Sequence, residues 1–196
     1  MDPKYQSLFT PWKIGKCEIK NRIVLTSMGG TSIFGWMEPH HFDKEAANFL
    51  LDRAKNNVGL ILPGIAPIRN VIGGNWLYKS KSSFKHLKPF MEEIHKTGAK
   101  MFVQLTAGFG RSFAITKMME MLASNKVLGA IAKPFINIDQ LTMSASPNPN
   151  RWSDKVPSRA MTIDEIHEFI KAFGKTAKMC KDAGVDGVEI HAVHEG

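Results

Sequence analysis

Cysteine is scarce in this sequence: its 196 residues include Cys17 and Cys180 alone. Two cysteines this far apart form neither a disulfide framework nor a Cys-x-x-Cys metal site. The chain also lacks a charged N-terminal region followed by an apolar run, and it lacks the ~18 successive apolar residues of a membrane span. We therefore expect a protein of a reducing compartment, the cytoplasm, with no membrane-spanning segment.

Acidic residues are also in deficit, because 18 Asp+Glu stand against 26 Lys+Arg and leave a net charge of +8. The lysines are spread along the chain, and no nucleic-acid-binding motif accompanies them. We therefore expect no nucleic-acid partner. Hydrophobic residues make up 43% and charged residues 22%, which is typical of a globular protein with one sizeable core.

Four short apolar runs indicate buried parallel strands, because they are rich in Val, Ile and Leu and nearly continuous. They cover residues 23–28, 59–66, 101–106 and 185–191. Helical patterns lie between them, and this alternation predicts an α/β fold with a parallel sheet. Periodicity alone does not separate a barrel from a doubly wound sheet. No Gly-x-Gly-x-x-Gly follows a strand, which argues against a Rossmann dinucleotide site.

The last helix has the clearest signals. Thr162 and Glu165 have the spacing of a capping box, and Gly184 ends the pattern. Apolar residues at spacings of three and four predict one buried face made of Ile163, Ile166, Ile170, Phe173, Ala177 and Cys180. Before this helix, an insertion at about 112–160 holds a Met-rich helical stretch near 117–123 and a Pro/Asn-rich loop at 146–152. Long loops of this kind usually shape a ligand site.

Several segments at the predicted strand ends carry a resemblance. They are 7–15 (SLFTPWKIG), 20–24 (KNRIV), 64–67 (GIAP), 103–105 (VQL) and 187–196 (GVEIHAVHEG). In this order they resemble the Old Yellow Enzyme family of flavin oxidoreductases, nearest the branch of 2,4-dienoyl-CoA reductase and the 2-enoate reductases. The resemblance implies an α/β fold of the (β/α)8 TIM-barrel type. Residues 1–196 would be the N-terminal half of an FMN-binding barrel, truncated after about four strands.

The resemblance also implies where FMN binds, at the C-terminal mouth of the barrel, to which each strand delivers a residue. The residues it places against FMN are Thr26, Ser27, Met28, Gly29, Gly64 and Gln104. Gly64 would let the backbone approach the cofactor without a Cβ clash. The Gln104 amide, which donates and accepts, would meet the pyrimidine edge of the ring.

The resemblance assigns catalysis to His191 and His194, which match the family's His-x-x-His or His-x-x-Asn pair. Two imidazole donors polarise a substrate carbonyl and stabilise the charge that develops as hydride arrives. The reaction implied is reduction of a C=C bond conjugated to a carbonyl or carboxylate, with NADH or NADPH as the reductant and FMN as the carrier. Without the resemblance, these histidines would be interpreted as structural, and Gln104 as a satisfied buried amide.

The sequence departs from the family pattern in several places. Ser27 stands where many relatives have Pro, although the dienoyl-CoA reductase branch has Ser, and Gly29 removes a side chain that tunes the flavin in some relatives. The segment 106–111 is one residue longer than the common His-x-Gly-Arg turn. Gly196 stands last, where relatives continue with the tyrosine that donates the proton. By the resemblance, we expect these 196 residues to contain neither strands five to eight with their phosphate site nor a Cys-rich 4Fe-4S segment.

Two functional hypotheses follow for the 196 residues. One is a flavin ene-reductase; the other is a non-catalytic half-barrel that acts only by association with a partner chain, such as a second copy. A half-barrel has open edges that favour association, and we expect it not to retain FMN tightly. A flavin-free aldolase-type barrel would need a catalytic Lys at a strand end, and none of the four predicted strand ends has one.

Overall fold

The computed structural model describes residues 2–28, 35–70 and 73–193. Its strands are β1 (Trp12–Ile14), β2 (Cys17–Ile19), β3 (Val24–Leu25), β4 (Met37–Glu38), β5 (His41–Phe42), β6 (Leu60–Ile61), β7 (Ala66–Pro67), β8 (Lys100–Thr106), β9 (Met143–Ser144), β10 (Arg159–Ala160) and β11 (Gly187–Ile190). Its α-helices are α1 (Lys44–Lys55), α2 (Lys81–Lys96), α3 (Lys117–Ser124), α4 (Lys126–Ala132), α5 (Ile138–Leu141) and α6 (Ile163–Asp182). Short 3₁₀ turns cover Pro3–Phe9, Leu77–Lys79 and Gly110–Ser112.

The central sheet is parallel, in the order β3, β6, β8, β11, with β7 also pairing with β8. This confirms the four predicted strands and their alternation with helices. The predicted strand 59–66 is divided into β6 and β7, with Pro63 in the gap. Because proline donates no hydrogen bond to a ladder, a break at this position is expected.

The two faces of β8 have different neighbours. Met101, Val103 and Leu105 are fully buried and belong to the apolar core, together with Leu87 and Ile94 of α2. Since successive strand residues point to opposite faces, Gln104 points away from this helix-covered face. Thr106, which is 1% exposed, shares its side of the strand. The helices therefore cover one face of the sheet, and Gln104 belongs to the other.

The predicted caps of α6 are confirmed. Thr162 and Glu165 form a reciprocal capping box, and Gly184 follows the helix with φ +89°, a conformation that favours glycine.

The predicted buried face of α6 is wrong in part. Ile163 and Ile170 are 68% and 62% exposed. The residues that α6 buries are Phe169, Ala172, Thr176 and Cys180. The helix is apolar over a wide arc, and periodicity does not tell which part of that arc meets the sheet. Among the described residues, no element covers Ile163 and Ile170.

The insertion has more structure than its sequence indicates. The predicted Met-rich helix is α3, but α4, α5 and the parallel pair β9–β10 follow it. At the crossing of α3 and α4, a Cβ on Gly129 would lie 2.6 Å from the Leu122 carbonyl oxygen, so this contact requires glycine. Among the described residues, no helix has both the length and the apolar character needed to cross a bilayer.

Candidate functional site at the carboxyl ends of the parallel strands

The parallel strands place their carboxyl ends at one edge of the sheet. Thr26, Ser27 and Met28 follow β3, Gly64 lies in the gap between β6 and β7, and Gln104 lies near the end of β8. His191 directly follows β11. The structure therefore brings these predicted site residues to the same end of the sheet. The predicted residues Gly29 and His194 lie outside the described part of the chain.

Gln104 is the centre of a hydrogen-bonded chain across this end. The Ser27 hydroxyl lies 2.9 Å from Gln104 Oε1, to which it donates, and 3.1 Å from the carbonyl oxygen of Pro63. On the other side, Gln104 Nε2 donates to Glu189 Oε2 over 2.8 Å. Gln104 is only 7% exposed, so these contacts satisfy an amide that burial would otherwise penalise.

The second strand is interrupted beside Ser27, between β6 and β7. Leu60 and Ile61 pair with Lys100 and Met101, whereas Ala66 and Pro67 pair with Leu105 and Thr106. The β6–β7 segment therefore contains one residue more than the stretch of β8 beside it, as in a β-bulge. Pro63 and Gly64 lie in this gap, and the Pro63 carbonyl oxygen is 3.1 Å from the Ser27 hydroxyl.

The remaining flavin-contact candidates differ in exposure. Thr26 and Ser27 are exposed, and Met28 has 58% of its surface accessible. Gly64 is buried, and its φ is outside the left-handed region. The local backbone conformation therefore does not require a glycine there. The predicted close approach of the cofactor to Gly64 stays a prediction.

His191 continues the line of β11. Its backbone N–H donates to the carbonyl oxygen of Leu105 over 2.8 Å, which fixes it beside the end of β8. The residue is half-buried. Its position at a strand end on a paired backbone is the rigid placement that barrel enzymes give to catalytic groups.

Glu189 is a site residue that the sequence analysis did not single out. It pairs in register with Gln104 on the neighbouring parallel strand, so the two side chains lie on the same face of the sheet. A signal was present in the sequence: a carboxylate stands between Val188 and Ile190 in an apolar strand. A charged group in such a strand needs a polar partner.

Glu38 carries the clearest electrostatic perturbation near this end. Burial raises the pKa of its carboxyl group to about 7. Glu38 belongs to β4, which packs against β7, and a Cβ on Gly35 would lie 3.6 Å from both Glu38 Oε1 and the carbonyl oxygen of Ile65. The sequence offered no indication of this residue, because the burial comes from long-range packing.

Residues 7–195 match the NADH:flavin oxidoreductase / NADH oxidase family. The chain belongs to this family. Solved members give the fold: the chain superposes on the Old Yellow Enzyme homologue of Zymomonas mobilis with a TM-score of 0.61 and 22% identity, covering 95% of this chain and 48% of that one. The fold class is therefore the α/β barrel of the Old Yellow Enzymes, and the described residues form an open sheet of its parallel strands.

Two curated relatives show the extent of the family match. The chain is 36% identical over 203 residues to a cinnamate reductase of Clostridium sporogenes, covering 100% of this chain and 27% of that protein. It is 26% identical over 198 residues to a probable NADH-dependent flavin oxidoreductase of Bacillus subtilis, covering 99% of this chain and 46% of that protein. The chain thus spans less than half the length of either relative.

Proposed function

We propose that this chain is part of a flavin-dependent ene-reductase that reduces a C=C bond conjugated to a carbonyl or carboxylate group. The observation that carries the proposal is the Ser27–Gln104–Glu189 chain at the carboxyl ends of the parallel strands. The family gives the flavin and the nicotinamide chemistry. The relative named for cinnamate reduction supports an unsaturated carboxylate as the substrate class.

The residues present suit the ring of a flavin such as FMN. After its bonds to Ser27 and Glu189, the Gln104 amide retains one N–H and one carbonyl lone pair. The pyrimidine edge of a flavin offers the matching acceptor and donor. Thr26, Met28, Gly29 and Gly64 would lie along the ring in this proposal. We assign the ring edge to this chain and assign no phosphate contact to its described residues.

Bound FMN would accept hydride from NADH or NADPH and deliver it to the substrate. His191 and His194 would donate hydrogen bonds to the substrate's carbonyl or carboxylate oxygen. Negative charge moves to this oxygen as hydride adds to the β-carbon, so preorganised donors stabilise the transition state. The net reaction oxidises one nicotinamide and adds one hydride and one proton across the C=C bond.

A second candidate function is association of the half-barrel with a partner chain, such as another copy. It rests on the apolar side chains exposed on α6, on β11 and just after β11. Those more than half exposed are Ile163, Ile170, Ile190 and Val193. Large exposed apolar surfaces typically mark interaction sites. The free thiols Cys17 and Cys180 agree with the cytoplasm as the proposed compartment for either function.

A titration of the purified chain with FMN, followed by flavin fluorescence and by sedimentation, tests the proposal. We expect weak binding that Gln104→Leu reduces by about tenfold, the effect of losing a buried polar contact. Gln6→Leu on the exposed N-terminal turn is the matched control and should bind as the parent does. With cinnamate and NADH, His191→Ala should lose turnover while FMN binding persists.

Three results decide between the candidates. FMN binding that is indifferent to Gln104→Leu contradicts the proposed ring contact. No binding at millimolar FMN, with a defined dimer in sedimentation, favours the association function instead. In that case Ile170→Lys should shift the dimer towards monomer, and Lys171→Gln, its exposed neighbour, should not.

A further inference from the structure

We propose that Glu189 is a positioning residue that fixes the polarity of the Gln104 amide. Its carboxylate would hold Nε2 on the β11 side and thereby leave Oε1 on the β3 side, beside Ser27. This inference rests on the proposed function only where it assigns the amide to a flavin edge. The hydrogen bonds from Ser27 to Gln104 and from Gln104 to Glu189 are formed within the chain and do not depend on a flavin.

An amide that is held by two partners has two possible orientations, related by a flip of about 180°. Ser27 does not choose between them, because a hydroxyl donates to Oε1 in one orientation and accepts from Nε2 in the other. In the observed orientation its single proton lies between two acceptors, Gln104 Oε1 at 2.9 Å and the Pro63 carbonyl oxygen at 3.1 Å, and after a flip it would donate to Pro63 alone. The choice must therefore come from the other partner.

Glu189 determines the orientation of the Gln104 amide, because an ionised carboxylate only accepts hydrogen bonds. In the observed orientation, Gln104 Nε2 lies 2.8 Å from Glu189 Oε2, a charge-assisted hydrogen bond. A flip would place Oε1 against the carboxylate oxygen, with two acceptors facing each other. Since Gln104 is buried, water does not relieve this conflict.

The fixed orientation of the Gln104 amide determines which hydrogen-bonding groups a ligand must present at the carboxyl ends of the strands. The second N–H of Gln104 and its second carbonyl lone pair remain available, and their order across the sheet is set. A ligand edge must then place its acceptor on the β11 side and its donor on the β3 side. The N–H of a flavin pyrimidine ring lies between two carbonyl groups, so Glu189 would select one of two possible orders.

The test uses the side-chain amide of Gln104 in ¹⁵N–¹H spectra of the full chain without flavin, assigned by its loss in Gln104→Leu. We expect one strongly downfield proton, because one N–H faces a carboxylate. Glu189→Leu should abolish that shift and accelerate hydrogen exchange at Nε2 by about tenfold or more. Glu189→Gln keeps the side-chain volume and an acceptor oxygen, so it should retain slow exchange with a smaller shift.

Two further variants separate positioning from general damage. Glu92→Gln, on the exposed side of α2, should leave the Gln104 signal unchanged. Ser27→Ala should leave the downfield proton in place, because Glu189 alone sets the polarity. An unchanged Gln104 signal in both Glu189 variants, or its loss in Ser27→Ala alone, would overturn the proposal.

The same variants distinguish this inference from the proposed function. With FMN, Glu189→Leu should weaken binding by about tenfold, and Glu189→Gln by less. A Gln104 signal that responds to Glu189 in a chain that binds no FMN supports the positioning role and contradicts the flavin assignment. If the chain binds FMN and the Gln104 signal does not change in either Glu189 variant, the flavin assignment is supported and the positioning role is contradicted.

Discussion

Arg159 and Glu165 form a bidentate ion pair, with Nη1 and Nη2 of the guanidinium 2.8 and 2.7 Å from the two carboxylate oxygens. Arg159 belongs to the end of the insertion, and Glu165 also caps α6 by accepting from the backbone N–H of Thr162. The pair therefore joins the insertion to the helix that precedes β11. The hydrogen bonds that Glu165 accepts, most of all from Arg159 and next from the Thr162 backbone, lower its pKa to about 2.

This pKa predicts an acid-sensitive contribution to stability. A carboxyl group with a depressed folded-state pKa stabilises the protein above its unfolded value of about 4.5 and loses this effect as pH falls towards 2. Glu165→Gln keeps an acceptor for the cap but loses the ion pair. Its free energy of unfolding in urea should be lower by up to about 1 kcal/mol at pH 7. A deficit that persists unchanged at pH 2 would contradict this, and the exposed Glu168→Gln is the control.

Glu38 should show the opposite pH dependence. Burial raises its folded-state pKa to about 7, so the protein loses stability as pH rises from about 4.5 through 7. Glu38→Gln removes the charge and should raise the melting temperature at pH 8, with no gain at pH 4. Thermal unfolding at both values measures this. Glu45→Gln on the exposed side of α1 should show no such pH dependence.

Asp186, whose side chain is only 10% exposed, should contribute more to stability than the exposed carboxylates. Its oxygens lie 2.9 Å from His95 Nε2, 3.0 Å from Lys100 Nζ and 3.0 Å from the backbone nitrogen of Met101. Asp186→Asn should reduce the free energy of unfolding by about 2 kcal/mol, because Asn does not satisfy these donors equally. Asp182→Asn, in an exposed pair with Lys178, should change it by less than about 0.5 kcal/mol. Equal losses of unfolding free energy in Asp186→Asn and Asp182→Asn would contradict this prediction.

Two glycines should respond in opposite directions to alanine. A Cβ on Gly59 would lie 2.9 Å from the carbonyl oxygen of Asn21, a buried residue whose amide donates to the carbonyl of Asn57. Gly59→Ala should therefore cost about 2 kcal/mol of stability. Gly174 lies on the exposed side of α6, and a Cβ there meets nothing within 4 Å. Gly174→Ala should stabilise by about 0.5–1 kcal/mol in the same urea titration.

The two thiols should differ in reactivity. Burial raises the pKa of Cys180 to about 12, and burial followed by the charge of Asp186 raises the pKa of Cys17. Because the thiolate is the reactive form, we expect slow reaction of Cys17 with a disulfide reagent at pH 8 and none at Cys180 until unfolding. Cys17→Ser should abolish the reaction of the folded chain. A reactive thiol remaining in that variant would contradict the buried position of Cys180.

The sequence by itself determined the order and type of the main elements. Near-continuous apolar runs locate the parallel strands, and local signals such as Thr162 with Glu165 and the glycine at 184 locate the ends of α6. The motif residues at the strand ends also indicate the family to which residues 7–195 belong. All of these signals act over a few residues, so they can be recognised in the sequence.

Only the tertiary structure decided which residues meet at the candidate site. Ser27 and Gln104 are 77 residues apart, and Gln104 and Glu189 are 85 apart. Their contacts depend on strand register and on the extra residue beside Pro63, which local periodicity does not encode. The same holds for α6, where Phe169 is buried against the Trp76 ring and Ile170 is left exposed. Periodicity specifies that a helix has an apolar arc, but the elements around it determine which part of that arc is buried.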